Sequence, residues 1–249
     1  MKNPALHWVR LPLQAVENCR ELGGYATNEG QQTAWRTFLR SSDLTNVTAE
    51  DVAFLQQYGL AHVMDLRAHD EITAAPNPFA NVEDVTYTNV SLIQEGVGNL
   101  ALSDSEFTLG HLYVQMLQNG DGIAQVLTTM SQQQGVTLFH CAAGKDRTGV
   151  IAMLLLALAG VAKQDIISNY EVTHTNLVTL REQFAHIRTQ HPNIKPEMMY
   201  SKPEYIEEAY DYIIATYGTV ERYLQHIGMT DEAIAALRTR IVLQQAVSL

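Results

Sequence analysis

The stretch Val136-Thr137-Leu138-Phe139-His140-Cys141-Ala142-Ala143-Gly144-Lys145-Asp146-Arg147-Thr148-Gly149 runs from an apolar strand, bounded by Gly135, into a short charged loop. It continues into Val150–Ala159, which is apolar on all sides and so predicts a buried helix. A loop between a strand and a helix start turns backbone N–H groups inward. The helix end adds positive potential, which makes such a loop an anion nest. Cys141 heads it, where those amides favour thiolate over thiol. Arg147 closes it, and its planar guanidinium grips two oxygens of a tetrahedral anion at once, which lysine cannot do. Thr148 offers a hydroxyl close to the sulfur, and Gly144 permits the tight turn. The expected anion-binding set is Ala142, Ala143, Gly144, Lys145, Asp146 and Arg147. A cysteine ending an apolar strand is ordinarily a small buried hydrophobe. Three consecutive charges beside it make poor packing and a good anion site, which reverses that reading.

Outward from the loop, strands alternate with helices. Trp35–Arg40 reads as a short strand after the turn-prone Asn28-Glu29-Gly30. Thr48 caps a helix with Asp51 three residues on; Val52, Leu55 and Tyr58 form its stripe and Gly59 ends it. Ala61–Leu66 and Val85–Val90 read as strands, Glu95–Asp104 as a loop, and Glu106–Leu117 and Gly122–Gln133 as helices. From Lys163 to about Arg240 the periodicity is helical, broken at His191-Pro192, Lys195-Pro196 and Gly218. The expected fold is an α/β one: a central mixed, mostly parallel sheet flanked by helices, with a helical C-terminal third. The whole chain is expected to be one domain, with residues 163–240 either forming a lid over the site or packing into the core.

The composition narrows the function. The chain has 249 residues, 46% hydrophobic and 17% charged, enough for one substantial core. With 16 basic against 27 acidic residues, the net charge of −11 argues against nucleic acid and gives no general attraction to anionic membranes. The two cysteines, Cys19 and Cys141, make neither a disulfide framework nor a metal motif. A reducing, cytoplasmic setting follows as the expectation, with no metal and no cofactor. The longest apolar stretch, Gly149 to Val161, falls short of the roughly 20 residues a membrane span needs.

The loop His140-Cys141, five residues, then Arg147-Thr148-Gly149 resembles the signature of the protein tyrosine phosphatase superfamily. Its form HCAAGKDRTG resembles the bacterial and fungal tyrosine phosphatases that carry Lys-Asp before the loop arginine, a family with mycobacterial and listerial members, some of them secreted. Asn18-Cys19-Arg20-Glu21-Leu22-Gly23-Gly24-Tyr25 is similar to the family's opening block, with Cys19 where an aromatic is usual. Leu39-Arg40-Ser41-Ser42-Asp43-Leu44, Met64-Asp65-Leu66-Arg67, Tyr217-Gly218-Thr219-Val220 and Leu237-Arg238 extend the likeness over about residues 15 to 240. The resemblance implies a cysteine-phosphatase fold and hydrolysis of phosphate monoesters through a cysteinyl-phosphate. It implies phosphotyrosine as substrate, with phosphoserine, phosphothreonine and phosphoinositides as further possibilities. It also implies that phosphate or sulfate binds the site.

Within that expectation Cys141 is the nucleophile and Arg147 the phosphate grip. His140 either orients the cysteine or is a satisfied buried histidine. The general acid is open among Asp146, Asp65 and Asp104, because the chain lacks the Trp-Pro-Asp tripeptide that supplies it in conventional tyrosine phosphatases. Asp65 qualifies because strand ends converge on one rim; the resemblance implies Asp146, which otherwise only shapes the loop. Lys145 is either a second cation suited to a multiply phosphorylated substrate or a neutralising partner for Asp146. Arg40 and Arg67 line the rim or pair with acids. The competing functions are a non-catalytic phosphate-binding module and another thiol enzyme, such as an arsenate reductase or sulfurtransferase.

Overall fold

A computed structural model describes residues 9–92, 108–191 and 195–243. Within them, β1 (Arg20–Glu21), β2 (Phe38–Ser41), β3 (Leu60–Asp65), β4 (Thr86–Asn89) and β5 (Val136–His140) form one sheet in the order β1-β2-β5-β3-β4. The β1–β2 pair is antiparallel; β5 runs parallel to both β2 and β3, and β3 to β4. The expected mixed, mostly parallel sheet is the one observed. β5 is its central strand, so the loop it feeds leaves from the middle of the carboxyl edge, where an open α/β sheet has its crevice.

Strand alternation assigns the side chains to two faces. Leu39, Val63 and Leu138 face one way, onto α1 (Ala49–Tyr58), with Leu55 and Phe79 in the same apolar cluster. Phe38, Met64 and Phe139 face the other way, into the main core, and Cys141 joins them. The helices α2 (His69–Ala74), α3 (Leu109–Gln118), α4 (Asp121–Gln132) and α5 (Asp146–Leu158) follow in the chain. After them come α6 (Lys163–Glu171), α7 (Thr173–Asn176), α8 (Val178–Gln190), α9 (Pro203–Tyr217), α10 (Val220–His226) and α11 (Asp231–Ile241). As its apolarity predicts, α5 is the central buried helix: Val150 to Leu156 are all at most 1% exposed. Each such leucine is worth about 1.5–3 kcal/mol of burial.

Local signals place most boundaries. Thr48 accepts from the Asp51 N–H and completes a capping box, worth about 1 kcal/mol, while Gly59 closes α1 in the left-handed region at φ 100°. The strand expected over Trp35–Arg40 begins only at Phe38. Arg36 takes a positive φ of 56°, and Trp35 lies against the glycine pair: a Cβ on Gly24 would meet the Trp35 ring at 2.4 Å. The helix expected from Glu106 is seen from Leu109, capped by Thr108; the loop Glu95–Asp104 lies outside the described residues.

The C-terminal third divides in two. From α6, α9, α10 and α11, Tyr170, Ile206, Tyr223 and Leu237 enter the main core. By contrast, α8 has no buried residue. It is followed by a 3-10 turn, Pro196–Met199. Among the described residues no helix is long and apolar enough to cross a membrane.

Candidate active site

The loop is built from behind. Gly144 sits at φ 65°, and a Cβ there would lie 2.0 Å from the Ser41 carbonyl oxygen, so glycine is required by both conformation and space. Its carbonyl accepts from Asn18 Nδ2 at 3.0 Å and from Arg40 Nη2 at 2.8 Å. The Ala143 carbonyl also accepts from Asn18 Nδ2, at 3.2 Å. The Ala142 carbonyl takes the Asp43 N–H at 2.8 Å. Three consecutive carbonyls are thus fastened to the scaffold, the arrangement an anion nest needs if its N–H groups are to face the other way.

Cys141 is buried at the head of this loop. Thr148, in the first turn of α5, is fully buried, and its hydroxyl has no hydrogen-bond partner. A buried hydroxyl left unsatisfied costs on the order of 1–3 kcal/mol; a thiolate or an anion oxygen in the nest would satisfy it.

Arg147 meets Glu71 in a two-pronged pair, Nη1 to Oε2 at 2.5 Å and Nη2 to Oε1 at 2.9 Å. Burial pushes the Glu71 carboxyl up, but the bonds and charge of Arg147 outweigh it and hold the carboxyl below its usual range. Arg147 in turn is lowered by burial and raised more strongly by Cys141, Glu71 and Asp146, so it stays charged. The sequence reading did not single out Glu71. In sequence it is only an acidic residue in the first turn of α2, where its Oε2 also accepts from the Ala68 N–H at 2.8 Å. That capping role masks the long-range one.

Asp146 opens α5 with its side chain 26% exposed. Its Oδ1 accepts from the Tyr113 hydroxyl at 2.5 Å, and Tyr113 shares a 2.7 Å bond with the Tyr170 hydroxyl. Burial first, then the Asp146 charge, pushes the Tyr113 phenol up, so it remains a donor. Lys145 is 1% exposed. Its Nζ lies 3.4 Å from Asp146 Oδ1 and donates to the carbonyls of Met198 and, at 3.3 Å, Tyr200. The second cation of the loop is therefore engaged on Asp146 and on the segment after α8.

His140 and Asp65 project to the face opposite Cys141. His140 is fully buried; its Nδ1 lies 3.0 Å from the Cys141 carbonyl, and its Nε2 lies 2.8 Å from Asn77 Nδ2 and 3.4 Å from Asp65 Oδ2. It thus fixes the cysteine backbone from below. Asp65 takes bonds from the Arg67 N–H and guanidinium, Asn77 and Tyr87. Burial raises its carboxyl, but His140 and then Arg67 hold it far below the usual range. As an alternative acid Asp65 is therefore corrected: a general acid must be protonated and reach substrate, and this carboxyl is ionised and 0% exposed. Arg67 and Arg40 likewise leave the rim. Arg67 is 1% exposed and bridges Asp43 and Asp65, while Arg40 is 0% exposed under the loop. Asp104 lies outside the described residues. Cys19 is buried, and burial pushes its thiol up. Among the described residues no group of His, Cys, Asp and Glu is placed to hold a metal.

The Asp65 network has a measurable consequence. Its folded-state pKa lies below the unfolded value, so its stabilisation is present above about pH 4 and is lost as pH falls. Asp65→Asn leaves Arg67 with one carboxylate partner fewer in the interior, and should lower stability at pH 7 by about 3 kcal/mol. It should also flatten the acid limb of a pH–stability curve; equal losses at pH 7 and pH 3 in denaturant titrations would contradict this.

The profile of the tyrosine phosphatase family matches residues 11–243. A tyrosine-protein phosphatase of Nostoc commune is 33% identical over 217 residues, covering 82% of this chain and 74% of that protein. The triple specificity protein phosphatase PtpB of Mycobacterium tuberculosis is 27% identical over 128 residues, 46% of each chain. Among solved structures, TpbA of P. aeruginosa aligns over 90% of this chain and 99% of its own at 14% identity, with a TM-score of 0.43. A sheet whose central strand delivers a cysteine to a glycine-turned loop closed by arginine is thus accompanied by a family match along nearly the whole described chain: this protein belongs to the tyrosine phosphatase family.

Proposed function

We propose that the chain is a cysteine-dependent protein-tyrosine phosphatase working through a cysteinyl-phosphate. The observation that supports this best is the arginine fork. Glu71 engages one N–H on each terminal nitrogen of Arg147 and fixes the guanidinium plane, leaving the remaining N–H donors for phosphate oxygens. In the first step the Cys141 sulfur attacks phosphorus in line. The S–P bond forms as the bond to the tyrosine oxygen breaks, and that oxygen takes a proton from an acid. In the second step water attacks phosphorus, the S–P bond breaks, and the acid group takes the proton back. Arg147 and the loop N–H groups bind the charge spread over the equatorial oxygens.

Asp146 is our assignment for the acid. Tyr113 occupies its Oδ1, so Oδ2 is the oxygen left to carry the proton. Asp146→Asn should slow hydrolysis of phosphotyrosine peptide by roughly 10²-fold or more, and an ester with a good leaving group far less, because a good leaving group needs little protonation. Equal losses on the two substrates would make Asp146 a loop-shaping residue. Phosphotyrosine suits this site better than a multiply phosphorylated lipid, because the Lys145 ammonium is already engaged by two carbonyls and Asp146. Only α8 and the 3-10 turn remain as the lid we infer for the C-terminal third. An assay with para-nitrophenyl phosphate, with and without a chelator, separates the competing readings. A phosphatase of this kind turns over in both; a binding module or a sulfurtransferase in neither.

A further inference from the structure

Arg40 projects from β2 to the same face of the sheet as Cys141, its Cα opposite Phe139 of β5. It is 0% exposed. Nη2 donates to the Gly144 carbonyl at 2.8 Å and Nη1 to Asn169 Oδ1 at 2.6 Å, while Nε makes no bond. A Cβ on Gly149 would lie 3.8 Å from Nη2, so the guanidinium sits under the first turn of α5. Arg20, its cross-strand neighbour, is also buried. That side chain donates to the Asn18 carbonyl, Asn18 Oδ1, the Asn169 carbonyl and Thr173 Oγ1. Neither arginine forms a salt bridge with a carboxylate among the described residues. Two buried guanidiniums side by side without a counter-charge cost several kcal/mol, which neutral carbonyls repay only in part. Arg67, equally buried, has two carboxylates. The contrast calls for an anion near Arg40.

We infer that Arg40 is a positioning residue for the reaction: fastened to the Gly144 carbonyl beneath the loop, its guanidinium is a fixed positive charge that holds Cys141 as thiolate without touching substrate. The inference rests on the reading of Cys141 as nucleophile. Burial lowers the Arg40 guanidinium to about 10, and the strongest opposing influence is the charge of Cys141, ahead of Tyr25, Tyr170 and Tyr113. The other charged or titratable groups of the loop and its supports are Arg147, Lys145 and Asp146, with Glu71 bonded to Arg147 and His140 at the cysteine backbone. Two of these cations are bonded to carboxylates: Arg147 to Glu71, and Lys145 to Asp146. Arg40 is bonded to none among the described residues.

The test reads the thiolate without any substrate. Neutral iodoacetamide is reacted with the full chain, and the rate at Cys141, followed by peptide mass, is taken at pH 6 relative to its alkaline plateau. Arg40→Gln keeps hydrogen bonding and removes the charge; it should lower this ratio about tenfold or more, the scale of losing one nearby opposite charge. Arg40→Lys keeps the charge and should restore most of it, whatever it does to thermal stability. Arg40→Met is made in parallel, so that one folded neutral variant suffices. A wild-type ratio in a folded neutral variant, or a Lys variant as low as the Gln variant, overturns the inference. Should neither neutral variant fold, Asn169→Ala decides. It removes one holder of Arg40 and leaves the charge, so the inference requires a ratio near wild type, and a collapsed ratio overturns it. Wild-type turnover reports separately on whether the chain is a phosphatase, so the two readings fail independently.

Discussion

Cys141→Ser is expected to cut hydrolysis of phosphotyrosine peptide by on the order of 10⁴-fold or more, while phosphotyrosine peptide still binds. The substitution exchanges one atom in a buried side chain, so the loop should keep its shape: its conformation is set by Gly144, Asn18 and Arg40, not by sulfur. What is lost is the sulfur nucleophile of the proposed mechanism. A serine hydroxyl ionises far above the range of a thiol, and no described base sits beside it, since His140 is spent on the cysteine carbonyl and Asn77. Binding should survive because the grip belongs to Arg147 and the loop. Steady-state kinetics and calorimetric titration check both halves. Cys19→Ser is the control; packed with Val16, Leu39 and Leu44 in the other cluster, it should retain near-normal turnover. Substantial turnover in Cys141→Ser would remove the covalent mechanism.

The second large effect belongs to the arginine. Arg147→Lys keeps the charge and should still lose roughly 10²–10³-fold in kcat/KM, the scale for losing a preorganised donor to developing charge. A lysine has one nitrogen where the guanidinium has a fork. It cannot answer both oxygens of Glu71 and also hold two oxygens of a phosphate. Glu71→Gln should lower kcat/KM less, because a fork held loosely still carries its donors. In the double variant the Glu71 change should add little, since the lysine has no fork left to hold. A full additive loss would mean that Glu71 acts independently of the arginine.

Much of this was legible in the sequence because local rules happen to coincide with the global fold. The all-apolar α5, the Thr48 cap and the strand leading to Cys141 each carry a short-range signature that the core simply accepts. The same holds for Gly144, whose need is both conformational and steric. What stayed hidden is what strand alternation and chain crossing decide. Asp65 and Arg40 look alike in sequence, each near the end of an apolar strand, yet they project from opposite faces. One is locked in a network below the histidine; the other lies under the Cys141 loop. Glu71 and Asn18 reach the site across 76 and 125 residues of chain, and each has a local backbone reason to be what it is. Glu71 caps α2, and Asn18 holds a positive φ of 61°. Such residues announce the nearby role and conceal the distant one.

The peripheral helix α8 carries a consequence for how this chain can diversify. With no buried residue of its own, it adds little to the free energy of the core. Lengthening or shortening a surface excursion costs only about 0.6 kcal/mol per doubling of its length. Surface positions of α8, Val178–Gln190, can therefore be exchanged, like an accessory on a fixed mount, with little penalty in folding. The mount is Lys145, which reaches from the loop to the carbonyls of Met198 and Tyr200. On the lid reading proposed above, selection on α8 acts on what it admits to the pocket more than on stability. On that reading, substrate preference and thermal robustness are separately heritable traits in this scaffold.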